Sequence, residues 1–148
     1  MLTDDPDGSP ILKVGSLDSP SAALTLSRPV RPFDDELMLD FLVTARGEWG
    51  RVETAVSVWV TDGLGDFLAS LSEDFRGWKG SRVWKSPDHS LRVSAEHRSR
   101  GRVHLTWTLS GTDIERPWDF SCTTVHPAGE DMRHLAADVR DFLRVATE

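Results

Sequence analysis

The sequence contains no tyrosine and a single cysteine, Cys122. One cysteine excludes an intramolecular disulfide and a zinc site built from cysteines. No apolar run approaches the roughly 18 residues of a membrane helix, so no helical span is expected. Local motifs are equally scarce. The five histidines include no His-x-His or His-x-x-x-His pair. Gly-x-Ser-x-Gly, Gly-x-Gly-x-x-Gly, His-Glu-x-x-His and the glycine-rich loop that cradles phosphates are all absent. Nothing in the chain argues for catalysis, so no cofactor and no metal is expected.

What is present describes one folded unit. The chain has 148 residues, 39% of them hydrophobic and 28% charged, which suits a single globular domain with a core of its own. Residues 1–10 are polar and rich in turn formers, and are expected to be a disordered tail ahead of a domain at 11–148. That segment has neither the basic start nor the apolar stretch of a secretory signal, so a cytoplasmic location is expected. The net charge is −7 and unevenly placed. Residues 1–77 hold 14 acids and 6 bases, whereas residues 78–148 hold 10 acids and 11 bases. Such an asymmetry gives a field able to steer a charged partner. It argues against general nucleic-acid binding, the exception being the arginine-rich hairpin Arg92–Arg102.

Alternation sets out the strands. Ile11–Gly15 and Ala22–Arg28 are short, and Pro29 and Pro32 are expected to break the second. Glu36–Arg46 and Arg51–Val60 alternate strongly and are joined by Gly47-Glu48-Trp49-Gly50. Asp62–Arg76 carries a helical stripe through Leu64, Phe67, Leu68, Leu71 and Phe75, with Thr61 or Asp62 as its cap and Gly77 as its stop. Four more strands follow at Ser81–Ser86, Leu91–Arg98, Arg102–Ser110 and Trp118–His126, then an amphipathic helix at Glu130–Ala146. The fold class is therefore α+β: a curved antiparallel sheet of about eight strands, with both helices packed on one face. The order is ββββαββββα. Phe41–Ala45 resembles Leu91–Ala95, and Gly50-Arg51-Val52 resembles Gly101-Arg102-Val103, which suggests an internal duplication.

Two sets of residues stand out against this framework. The acidic cluster Asp34, Asp35 and Glu36, with Trp49 and Trp84 near turns, suits a protein-docking surface in which an aromatic anchor supplies affinity. Glu96, His97 and His104 are the candidates for a pocket, although alternation puts His97 on the opposite face from His104. The solvent-facing side of the sheet is expected to carry Arg92, Ser94, Glu96, His104, Thr106 and Thr108. Cys122 is expected to be a buried structural thiol, and Trp107 to lie in the core.

The stretch Trp78-Lys-Gly80-Ser-Arg-Val-Trp84, followed by Leu91-Arg-Val-Ser-Ala95, Gly101-Arg-Val-His-Leu105 and the closing helix, resembles a family of small uncharacterised actinobacterial proteins of unknown function. That resemblance covers roughly residues 36–145 and implies no activity. Size, charge and layering are more loosely similar to bacterial toxin-immunity proteins. The reading is a non-catalytic protein-binding domain, of immunity type, docking a basic partner. The alternative is a small-molecule module or enzyme with its pocket between sheet and helices, and self-association as a homodimer is a third arrangement.

Overall fold

The computed structural model describes residues 1–18, 23–33, 37–60 and 63–145. The fold is α+β, with two antiparallel sheets and two helices. In chain order, the first sheet contains β1 (Leu2–Asp4), β2 (Pro10–Val14), β3 (Ala23–Val30), β4 (Met38–Gly47) and β5 (Gly50–Trp59). Helix α1 (Leu64–Glu73) follows. The second sheet contains β6 (Ser81–Lys85), β7 (Leu91–Arg98), β8 (Arg102–Ser110) and β9 (Asp119–Pro127), and α2 (Glu130–Val145) closes the chain.

The class, the antiparallel pairing and the two amphipathic helices agree with the sequence pattern. The strands, however, divide into sheets of five and four rather than forming one sheet of about eight. Helix α1 separates β5 from β6, so no turn puts the two strands side by side. Two polar contacts link β5 to the second half of the chain instead. Thr54 Oγ1 donates to the Ser110 carbonyl at 3.0 Å, and the Ser57 amide donates to Asp88 Oδ2 at 2.9 Å. The edge of β9 is met in a similar way: the Val125 amide donates to Ser16 Oγ at 2.8 Å, and the Leu17 amide donates to the Val125 carbonyl at 2.9 Å.

Three local expectations change. The first residues are ordered: β1 pairs with β2, and Asp5 Oδ1 accepts the amides of Asp7 and Ser9 at 2.9 and 2.8 Å to form the turn between them. Strand β3 also continues past Pro29 to Val30. It does so through a bulge between Ser27 and Val30, where Arg28 takes the left-handed conformation (φ 52°). Thr61 and Asp62, the expected caps of α1, lie outside the described residues. The helix ends at Glu73, so Phe75 stands beyond it and is exposed.

One core joins both sheets and both helices. Leu39, Phe41, Val43 and Ala45 supply it from β4, and Leu91, Val93 and Ala95 supply it from β7. The two hairpins thus bury matching positions. Phe142 of α2 meets Phe41 edge-on at 5.8 Å, and Trp107 is fully buried. Helix α1 packs on α2, and an ion pair between Arg140 and Asp66 at 2.7 Å spans the two. Because the helices and core occupy the inner side of the first sheet, its other face is open.

Candidate functional site

That open face is hollow. The hollow holds about 370 Å³ and is lined from β2, β3, β4 and β5. The strand register arranges its side chains in rows. Lys13, Thr25, Thr44 and Glu53 are successive partners across four strands. Arg46 sits directly opposite Arg51, and Arg28 enters from the bulge in β3. Leu42 and Ile11 contribute apolar surface.

Like charges directly opposite on a sheet destabilise it. Here one pair is partly neutralised. Glu53 Oε1 accepts from Thr44 Oγ1 at 2.8 Å and from Arg51 Nη2 at 2.7 Å. The Thr44 hydrogen bond, then the Arg51 bond and the Arg51 and Arg28 charges, hold the Glu53 carboxyl below the usual carboxylate range despite some burial. Glu53 is therefore ionised at neutral pH and engaged with Arg51. Lys13, Arg28 and Arg46 make no ion pair among the described residues. Four of the six bases in the acidic half of the chain thus converge on one face.

Trp49 lies at the end of the same hairpin, turned toward the second sheet rather than into the hollow. It sits in the two-residue turn between Gly47 and Gly50, is 56% exposed, and lies on Phe120 of β9 with centroids 4.7 Å apart. Arg46 lines both the hollow and a small cavity of about 60 Å³ that Trp49 shares with Cys122. Burial pushes the Cys122 thiol up, which makes it a poor nucleophile. Gly47 is what allows this arrangement, since a Cβ there would stand 2.3 Å from Trp49 Nε1. A Gly47→Ala variant is expected to lift the indole from Phe120 and cost about 1 kcal/mol, the worth of an aromatic pair. Urea unfolding measures the loss, and near-ultraviolet circular dichroism reports the ring.

The other residues singled out from the sequence fall in different places. Asp34, Asp35 and Glu36 lie outside the described residues. Trp84 is half-buried against the core, so Trp49 is the more exposed of the two candidate anchors. Glu96 and His104 are direct partners on the outer face of the second sheet. Arg98 and Ser81 hydrogen-bond Glu96 and lower its pKa, while burial is the main cause lowering that of His104. His97 is on the inner face, against Trp78 with centroids 5.4 Å apart and within 3.3 Å of the Phe75 carbonyl. Gly77 (φ 116°) permits that approach, because a Cβ there would meet the imidazole at 2.9 Å. The three residues therefore do not converge on one pocket. Beside Glu96 and His104, the outer face carries hydroxyl pairs, Thr106 with Thr123 at 3.1 Å and Thr108 with Ser121 at 2.8 Å.

A second hollow, of about 420 Å³, does lie between sheet and helix, lined by Ser16 and His126 on one side and by Asp131, His134 and Asp138 of α2 on the other. His126 is buried in a chain of hydrogen bonds. Trp107 Nε1 donates to Thr124 Oγ1 at 2.9 Å, and Thr124 Oγ1 stands 2.7 Å from His126 Nε2. With the Thr124 oxygen accepting from the indole, its hydroxyl is free to donate to His126. Burial pushes the imidazole down to about 4, so it is neutral at physiological pH. Sequence reasoning placed His126 only at a strand end. Its alternation with Cys122 and Thr124 was the available sign that it faces inward.

Residues 16–146 match the sequence pattern of DUF6228, a family of unknown function. The chain belongs to that family. The matched span runs from the segment beside β9, through β3 to β5, α1 and the second sheet, to the end of α2, and it contains Arg28, Arg46, Trp49, Arg51 and Glu53. Lys13 precedes it. No curated protein and no solved structure matches the chain. Among the described residues, no helix is long and apolar enough to cross a membrane.

Proposed function

We propose that this chain is a non-catalytic protein-binding domain, and that an extended segment of another protein docks in the hollow of the first sheet beside Trp49. The observation carrying this reading is the hollow itself. Four strands hold its polar groups in register, three cations in it lack an ion-pair partner among the described residues, and the half-exposed Trp49 stands at the end of the hairpin that carries Arg46 and Arg51. A rigid aromatic anchor next to convergent polar groups is how protein interfaces concentrate affinity. The sheet supplies a pre-formed surface, so little ordering opposes binding. Catalysis finds less support. The one ionised carboxylate in the hollow is engaged by Arg51 and Thr44, and the Cys122 thiol is held protonated by burial.

The test begins with a partner isolated from the source cells and identified. With both proteins purified, titration calorimetry is expected to give a saturable complex of fixed stoichiometry. Trp49→Ala and Arg46→Gln should each weaken it by about tenfold or more, since a tenfold change corresponds to about 1.4 kcal/mol. Binding that survives both substitutions places the interface elsewhere and defeats the proposal.

A further inference from the structure

The net charge of this protein points to a basic partner, and the geometry points the other way. Resting on the docking reading above, we infer that the segment received by the first sheet is acidic, with carboxylate side chains seated among Arg28, Arg46 and Lys13.

Charge balance carries the argument. The hollow is lined by four basic side chains and one carboxylate. The carboxylate, Glu53, is already committed to Arg51 at 2.7 Å. Arg46 nevertheless stands directly across from Arg51, a cross-strand arrangement that costs stability unless an anion joins it. Lys13, Arg28 and Arg46 have no ion-pair partner among the described residues, although basic groups outside the hollow, such as Arg82, Arg98 and Arg140, do. A field of unpaired cations in a concave site attracts anions more strongly than the same charges on a convex surface.

Geometry then points to carboxylates spaced along a chain. Arg28 owes its position to a left-handed residue in a bulge, a feature that re-aims a side chain at some cost in backbone strain. Each arginine fork can take a carboxylate through two parallel hydrogen bonds. Thr25 and Ser27, on the same face of β3, add hydroxyl donors between the cations. The three cations come from three neighbouring strands, so a segment crossing them meets one positive group per strand. The apolar surface of Leu42 and Ile11 suits the non-ionic part of such a segment.

The experiment uses the full chain and two fluorescent peptides of equal length, one of glutamate and one of lysine, followed by anisotropy. The glutamate peptide is expected to bind, more weakly as salt is added. The double substitution Arg28→Gln/Arg46→Gln should weaken it about tenfold or more. Lys85→Gln/Arg92→Gln, which removes a basic pair from the outer face of the other sheet, should leave it unchanged. Circular dichroism and melting curves check that each variant is folded.

Three results overturn the inference: preference for the lysine peptide, no binding of either peptide, or glutamate binding indifferent to Arg28 and Arg46. A basic partner that loses affinity with Trp49→Ala and Arg46→Gln would leave the docking reading standing while overturning the acidic occupant.

Discussion

Replacing Asp88 by alanine is expected to lower unfolding stability by about 3 kcal/mol, because a carboxylate with several hydrogen bonds is removed from partners that stay in place. Asp88 Oδ1 accepts from Ser86 Oγ at 2.6 Å, from Ser90 Oγ at 2.7 Å and from the Ser90 amide at 3.1 Å. Its other oxygen takes the Ser57 amide on the edge of β5. Ser86 and Ser90 are buried at 2% and 1% exposure, so neither hydroxyl has ready access to replacement water. The carboxylate thus ties the turn between β6 and β7 to the edge of the other sheet. Burial alone would raise its pKa. The serine hydroxyls and the backbone amides of Ser57 and Ser90 outweigh that and hold it below the usual carboxylate range. Asp88→Asn keeps an accepting oxygen and should cost roughly half as much. Guanidinium unfolding at neutral pH measures both variants. If both lie within about 0.5 kcal/mol of the parent, within the ordinary range of surface substitutions, the tether contributes nothing.

The second large effect is a loss of stability in mild acid. Unfolded, His126 takes up a proton near its ordinary value of 6.5, whereas in the folded chain it does so only near 4. Between those values the unfolded state binds more protons, so stability rises with pH across the window and falls as pH drops through it. At 1.36 kcal/mol per unit, the full window is worth about 3 kcal/mol. The cause is chiefly burial, with the nearby Asp131 and Asp18 carboxylates opposing it. The lowered carboxyls of Glu53 and Asp88 act in the same sense but in more acid solution, below their ordinary values of 4.5 and 3.8. His126→Gln removes the titrating ring while keeping an oxygen able to accept from Thr124. Its unfolding free energy should change far less between pH 6.5 and 4.5 than that of the parent. Equal slopes for the two proteins would show that some other group carries the acid sensitivity.

Much of the secondary structure is legible in the chain. Strands β2, β4, β5 and β6 to β9 and both helices follow from periodicity, because a half-buried strand must alternate and a half-buried helix must repeat near 3.6 residues. The hairpin turn at Trp49 follows from its flanking glycines. Periodicity by itself also sets His97 and His104 on opposite faces. It could not show β1, whose three residues owe their order to pairing with β2 and to the Asp5 turn. Nor could it carry β3 past Pro29, because a bulge is a tertiary accommodation with little local signature. Trp49 and Trp84 look alike in sequence, both near turns. Packing alone half-buries Trp84 and leaves Trp49 more exposed.

The site was harder to read than the fold, for a related reason. Lys13, Arg28, Arg46 and Arg51 are scattered along an acidic half-chain, and their sum with the surrounding aspartates and glutamates is strongly negative. Composition averages over that half, whereas a sheet sorts residues by parity and register. By itself the sequence determined the α+β class, the order of most elements, the residues that must be buried and the excess of acid in the first 77 residues. Only the tertiary structure decided that the strands form two sheets and which sheet face stays open. The structure also made that face basic. Alternation assigns a side chain to one of two faces, but only the packing of the helices and core chooses which face is buried, and cross-strand register chooses which charges become neighbours.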